Sequence, residues 1–323
     1  MKPSTTRRSL LAAAAAAALA GPLAAQTLPQ RITIIVPYPA GGLSDALARL
    51  TGKVMAENLG LPVVVENKPG ANGVLGLQAI AHAAPDGATI GMVPASVMTV
   101  NPALYKDMKV DTLKDITPLT LAITLPNVLV VHPSVPARTM DELLAWLRQS
   151  QGKVSYGSMG QGSSAHLNGE LLSRSANLQI THVPYKGSAP AMQDLMAGNI
   201  QMAFENLPVA LPLIQSGKLR AIGVTSPEAS PQAPEIPAIA KSLPGFEDNI
   251  WFGFIGPAGM PPAVVARLHE QLVRAIRSDE VGRVMQSRGA TIGTSTPDEM
   301  RKLVAEERDK WARLVRERQI QVN

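Results

Sequence analysis

The chain has 323 residues, 46% of them hydrophobic and none of them cysteine, and 30 Lys and Arg against 25 Asp and Glu give a formal charge of +5. That length buries enough core for two ordinary domains, and the absence of cysteine excludes disulfide frameworks and thiolate metal sites. Aromatic residues make up only 3% of the chain and no Lys/Arg cluster is interleaved with them, so nucleic-acid binding has no support.

In chain order, residues 1–25 read as an export signal. Lys2, Arg7 and Arg8 precede an apolar run from Leu10 to Ala20, and Ala24-Ala25 offers a small-residue cleavage site. Roughly a dozen apolar residues fall short of the ~20 that span a bilayer, so a cleaved leader and a periplasmic product are expected, not a membrane anchor. The string from Thr6 to Leu11 fits a twin-arginine signal and a Sec signal alike. The leader carries three bases and no acid, so its removal leaves a formal charge of +2.

Ile32, Ile34, Ile35 and Val36 read as a buried strand, and Leu43, Leu47 and Leu50 fall at helical spacing. Between them, Gly41 and Gly42 tolerate positive φ and let another molecule approach the backbone beside a helix N-terminus, a turn that either holds an anion or simply joins two elements. Residues 61–66 read as a second strand, 67–73 as a turn-rich loop, 74–83 as a helix and 89–93 as a third strand. The alternation predicts an α/β sheet, mostly parallel and covered on both faces, with ligands at strand C-terminal ends such as Tyr38 to Asp45 and Pro94-Ala95-Ser96.

Pro-containing segments over 117–126 lead to a strand at 128–131 that enters a second domain. Thr139 and Glu142 form a capping box opening a helix to Gln149, and a strand at 153–156 follows. The next turn, Gly157-Ser158-Met159-Gly160-Gln161-Gly162-Ser163-Ser164, repeats the first and leads into a helix bearing Leu167, Leu171 and Leu172. Strands at 180–183, 200–204 and 219–224 continue the pattern, and the Ser/Pro-rich 225–233 crosses back toward the first domain. A strand at 251–255, a helix at 261–276, a short strand at 290–292 and a second capping box at Thr296 complete the chain. The last helix, mixing Lys, Arg, Glu and Asp, reads as a solvated face and not as a binding site. The expected division is domain 1 over 26–126 and 247–323, and domain 2 over 127–246.

Three features bear on an enzymatic reading. Gly160-x-Gly162-x-x-Ala165 matches a dinucleotide fingerprint, but the following strand ends at Val183-Pro184-Tyr185-Lys186 without the acid that holds a ribose. Tyr156-Gly157-Ser158-Met159-Gly160 lacks the first glycine of a nucleophile elbow, and His166 has Glu170 at i+4, the setting of a helix-surface pair. His82, His132, His166, His182 and His269 are scattered, so no metal is expected. An exported α/β hydrolase or oxidoreductase stands as the alternative to a binding protein. In the binding reading, two glycine turns in two domains face each other across a cleft and hold a carboxylate by backbone N–H groups and by the hydroxyls of Ser158, Ser163 and Ser164. Asp45 either caps its own loop or meets a ligand ammonium. Glu205 is either solvated rim or cleft wall, and Tyr38 and Tyr185 either pack in the domains or line the cleft.

Val36-Pro37-Tyr38-Pro39-Ala40-Gly41-Gly42 with Asp45, Val65 through Gly73, Tyr156-Gly157-Ser158 through Leu167, and His182 through Gly187 resemble the signature strings of Bug-type receptors. These are the extracytoplasmic solute-binding components of tripartite tricarboxylate transporters. The resemblance continues through Phe204-Glu205-Asn206-Leu207-Pro208, Gly217 to Arg220, Trp251-Phe252-Gly253 and Pro257-Ala258-Gly259, covering essentially the whole mature chain. It implies a type II periplasmic-binding-protein fold, two α/β domains joined by two crossings and closing like a Venus flytrap on a small organic anion. The ligand classes implied are tricarboxylates, dicarboxylates, acidic amino acids and some aromatic acids. No cofactor, metal or catalytic residue is implied. The ligand-binding set it suggests is Tyr38, Ala40, Gly41, Gly42 and Asp45 from the first loop, Ser158, Gly162, Ser163, Ser164 and His166 from the second, and Tyr185, Gly187 and Glu205 beyond them. A monomer outside the membrane, partnered by a permease or sensor protein, follows from the same likeness. Glu205 stands where many relatives have aspartate, and Pro227-Glu228-Ala229-Ser230 lacks the arginine common there, so ligand identity does not carry over.

Overall fold

The computed structural model describes residues 29–320 except Gln151 and Lys186, so the expected leader lies outside the described residues. The chain begins β1 (Ile32–Val36), α1 (Leu43–Leu59), β2 (Val63–Asn67), α2 (Val74–Ala81), β3 (Thr89–Pro94), α3 (Ala95–Thr99), α4 (Asn101–Leu104) and β4 (Ile116–Val131). It continues α5 (Met140–Gln149), β5 (Ser155–Ser158), α6 (Ser164–Ser175), β6 (Thr181–Pro184), α7 (Ser188–Met196), β7 (Met202–Asn206), α8 (Leu207–Gln215) and β8 (Arg220–Val224). It ends β9 (Asn249–Pro257), α9 (Pro262–Ile276), α10 (Asp279–Ser287), β10 (Thr291–Ile292) and α11 (Pro297–Glu317).

Two sheets carry the two lobes. In the first, β1 lies parallel between β2 and β3, β9 pairs antiparallel with β3, and the first part of β4 pairs antiparallel with β9. In the second, β5 lies parallel between β6 and β7, while the end of β4 pairs antiparallel with both β7 and β8. Each sheet is therefore parallel apart from strands that run against it: β9 and the two-residue β10 in the first, β4 in the second. The apolar β1, flanked on both sides, is almost wholly buried, whereas the edge strand β2 alternates between half-buried and exposed residues, as one-sided packing requires.

The expectation of a strand starting at 128 is corrected. β4 is one continuous 16-residue strand, pairing with β9 as far as Pro126 and with β7 from Asn127. Proline donates nothing to a ladder and is rare inside a paired strand. Pro118 sits at a register irregularity and Pro126 at the change of sheet, so the missing N–H groups fall where the ladder is already interrupted.

The capping boxes form as expected at Thr139 with Glu142 and at Thr296 with Glu299. The reading of α11 as a solvated face is corrected. Met300 and Val304 enter the core of the first lobe and Trp311 and Leu314 that of the second, so this helix braces both. Burying side chains of this kind contributes about 1.5–3 kcal/mol each. Exposed pairs such as Lys302 with Glu306 contribute ~0.3–0.5 kcal/mol, so the apolar row outweighs the charges. Among the described residues no helix is long and apolar enough to cross a membrane.

Candidate functional site

The first glycine turn reverses at Gly41, whose φ of +94° favours glycine, and runs extended through Gly42 into α1. Asp45 holds it from beneath. Its Oδ2 accepts the Gly41 N–H and the Arg49 Nε at 3.0 Å each, and its Oδ1 accepts Asn67 Nδ2 at 3.0 Å. Asn67 also donates to the Tyr38 carbonyl at 3.0 Å, tying β2 to the loop. The hydrogen bond from Arg49, more than any other contact, holds the Asp45 carboxyl down at about 2. Gly41 N–H and Asp45 are thus committed to each other. What the turn leaves open is the start of α1: Gly42 supplies no side-chain cap, and the first-turn amides of Leu43 and Ser44 have no intrahelical partner.

The second turn is built differently. Ser163 caps α6, accepting the His166 N–H at 3.3 Å and donating to the Gly160 carbonyl at 2.7 Å. Gly162 donates its N–H to Nδ1 of His166 at 3.0 Å, which leaves that nitrogen unprotonated. The His166 ring stacks on His182 at 3.9 Å between centroids, and His182 in turn stacks on Tyr156 at 4.9 Å. Nε2 of His182 meets Ser158 Oγ at 2.7 Å, and the Tyr156 hydroxyl donates to Glu170 at 2.9 Å. The helix-surface pairing expected of His166 and Glu170 is therefore corrected. β5 and β6 cover this face of α6, and Glu170 takes Arg318 as its ionic partner at 2.6 Å. Burial lowers both imidazoles, His182 to about 3, so the pair is neutral at pH 7. Ser158 is 1% exposed and braces the loop through Gly160.

The two turns meet at a cavity of about 600 Å³. Tyr38, Ala40 and Gly42 line it from the first lobe, and Gly162, Ser163 and Ser164 from the second, so both α1 and α6 start at its wall. Ser164 Oγ accepts Asn127 Nδ2 at 3.2 Å, linking the second turn to the crossing strand β4. Burial pushes the Tyr38 phenol up to about 12, so its hydroxyl stays protonated and points to Asn72 Oδ1 at 3.2 Å.

The other residues expected at the site are not among those that line this cavity. Gly41, Asp45, Ser158 and His166 support the two loops as described above. Tyr185 donates to Asp194 at 2.7 Å, and Gly187 caps α7 at φ +111°. Glu205 is fully buried, neither rim nor cleft wall, accepting Ser188 Oγ and, at 2.8 Å, the N–H of Asn206. Asn206 itself lines the cavity, as do Asn72, Thr99, Asp248, Phe252 and Trp311, none of which was expected there. Trp311 carried a readable signal in the apolar spacing of α11. Asp248 carried none, since a charged residue in a crossing segment looks like surface.

A two-lobed α/β frame with a helix N-terminus from each lobe opening on one cavity defines a solute-binding protein. The chain belongs to the tripartite tricarboxylate transporter receptor family, whose family model matches residues 47–320. It is 36% identical to protein BugT of Bordetella pertussis over 93% of each chain. Among solved structures, Rpa4515 of R. palustris with adipate is 32% identical with a TM-score of 0.76, covering 90% of this chain and 98% of that one. MatC of Rhodopseudomonas palustris with bound malate is 31% identical with a TM-score of 0.73, covering 89% and 99%. The family is one of receptors, not of enzymes.

Proposed function

We propose that the chain is a periplasmic receptor that captures a small organic carboxylate by closing its two lobes and delivers it to a tripartite tricarboxylate-type permease or a sensor. The observation that carries this is the convergence of the α1 and α6 N-termini on one cavity, because unpaired N–H groups at the positive end of a helix dipole bind anions without a basic side chain. Adipate in Rpa4515 and malate in MatC support a di- or tricarboxylate, acidic amino acid or aromatic acid as the ligand class. In this reading Ser164 joins the captured carboxylate with the open amides, while Gly41, Asp45, Ser158 and His166 hold the loops in shape. The lobes divide at 126/127 and 246/247. The change of β4 partner at Asn127 supports that division, with the end of α11 reaching across to the second lobe.

Thermal-shift screening of ligand-free mature protein against a carboxylate panel tests the reading, since a ligand at 100 times its Kd adds about 2.7 kcal/mol. Leu43→Pro sharpens the test. It deletes an amide at the first helical position, where proline is tolerated, and Gly42 already has the extended backbone that a following proline requires. Binding abolished in a folded variant is expected. A panel with no shift, or unchanged affinity in Leu43→Pro, overturns the proposal.

A further inference from the structure

We infer that the preferred ligand is a monocarboxylate with an apolar body, an alkyl or aryl group standing where a dicarboxylate has its second charge. This rests on the carboxylate-receptor reading and narrows it.

The cavity is equipped for one anion. The starts of α1 and α6 bring open amides to it, with Ser44 and Ser164 in their first turns. Other polar side chains on the wall are spent on the protein itself. The Tyr38 hydroxyl donates to Asn72 Oδ1 at 3.2 Å. Asn72 Nδ2 donates to Oδ1 of the buried Asn101 at 3.2 Å, and Asn101 Nδ2 returns a bond to the Asn72 carbonyl at 2.8 Å. Thr99 Oγ1 donates to the Ala95 carbonyl at 3.0 Å, and Ser163 Oγ to that of Gly160 at 2.7 Å. No described Lys, Arg or His lines the cavity, and the one charged residue among the described lining, Asp248, is an acid. A second carboxylate leaving water would meet no cation there, and an unpaired charge is costly to desolvate.

The surface that the cavity leaves uncovered is apolar on both lobes. Trp251, on β9, is 1% exposed and belongs to the core of the first lobe. Ile250 and Phe252 flank it in the strand, so they share the opposite face, and both line the cavity half-buried. Leu43 at the start of α1 and Met159 in the second turn are half-buried on the same wall. Leu167 from α6 and Trp311 from α11, both almost fully buried, add to this lining. A hydrocarbon body laid against these side chains releases water from both surfaces, and about 600 Å³ leaves room for a ring or a chain of several carbons beside the carboxylate.

The test titrates straight-chain monocarboxylates of graded length, and phenyl-substituted ones, calorimetrically into ligand-free wild type beside dicarboxylates of matched length. Adipate and malate, the acids bound by the two solved neighbours, are included. At least one monocarboxylate is expected to bind about tenfold or more tighter than its matched dicarboxylate, with affinity rising as the body lengthens from the shortest acid. In Phe252→Ala, checked for folding by circular dichroism, that ligand is expected to weaken about tenfold more than the shortest acid does. The wild-type comparison stands even if the variant fails to fold. Dicarboxylates that bind as tightly as the matched monocarboxylates, or affinity that ignores the body, overturn the inference and leave the receptor reading intact, as does an equal loss for all acids in folded Phe252→Ala. Failure of every compound to bind wild type overturns the receptor reading and the inference with it.

Discussion

Asp45→Asn separates the loop-holding role of Asp45 from a ligand-binding one. The substitution keeps the shape of the side chain and removes the charge that takes Gly41 N–H, Arg49 and Asn67 together. The carboxyl is lowered from 3.8 to about 2, first by the hydrogen bond from Arg49. A shift of that size corresponds at face value to about 2 kcal/mol. Arg49 is 50% exposed, however, and solvent screening reduces the expected loss to about 1 kcal/mol at neutral pH. The sign follows from the depressed value. The unfolded chain binds the proton more readily, so the contribution is complete above the unfolded value of 3.8 and disappears as pH falls through about 2. Urea unfolding of wild type and variant between pH 7 and pH 2 should give a constant gap at high pH that closes at the acid end. Carboxylate affinity should fall by about tenfold or less, because the loop must then be ordered by the ligand. Equal stability at pH 7, or a gap that persists at pH 2, would refute the reasoning.

Three further outcomes follow from the packing. Gly169→Ala should destabilise the protein by about 1–2 kcal/mol, although alanine normally favours a helix by ~1 kcal/mol over glycine, because the new Cβ would lie 2.0 Å from Tyr156 Cε2. A raised melting temperature would contradict this. His182, held at about 3 by burial and by His166 from an ordinary 6.5, should make stability decline as pH falls from 6.5 toward 3, because the unfolded state takes up the proton first. His182→Gln should flatten that decline in acid unfolding curves, and an unchanged slope would show that the stacked pair does not cause it. Trp311→Ala should cost about 3–5 kcal/mol in denaturant unfolding, where a residue on a solvated face would cost less than ~0.5 kcal/mol.

Much of the frame was legible because its causes are local. The β-branched run of β1, the leucine spacing of α1 and the two Thr-x-x-Glu caps each lie within a few residues, and each formed as read. The glycine turns were legible for the same reason, and both reach the cavity. β4 was half hidden, since its prolines are compatible with a strand only where the partner strand changes, and the partner is far away in the chain. The direction of polar side chains was hidden altogether. Asp45 looks equally able to face a ligand or its own loop until Asn67 arrives from β2. His166 looks like the surface partner of Glu170 until His182 covers it from β6 and Arg318 from the chain's end takes the acid.

The sequence by itself thus determined an alternating α/β chain with two helix-starting glycine turns, through periodicity and turn chemistry that act over a handful of residues. The tertiary structure alone decided which amides remain open, which polar groups support them from behind, and that Asn206, Asp248 and Trp311 join the cavity wall. Those outcomes depend on which distant groups desolvate and pair with one another, a property of the packed lobes that no local stretch contains.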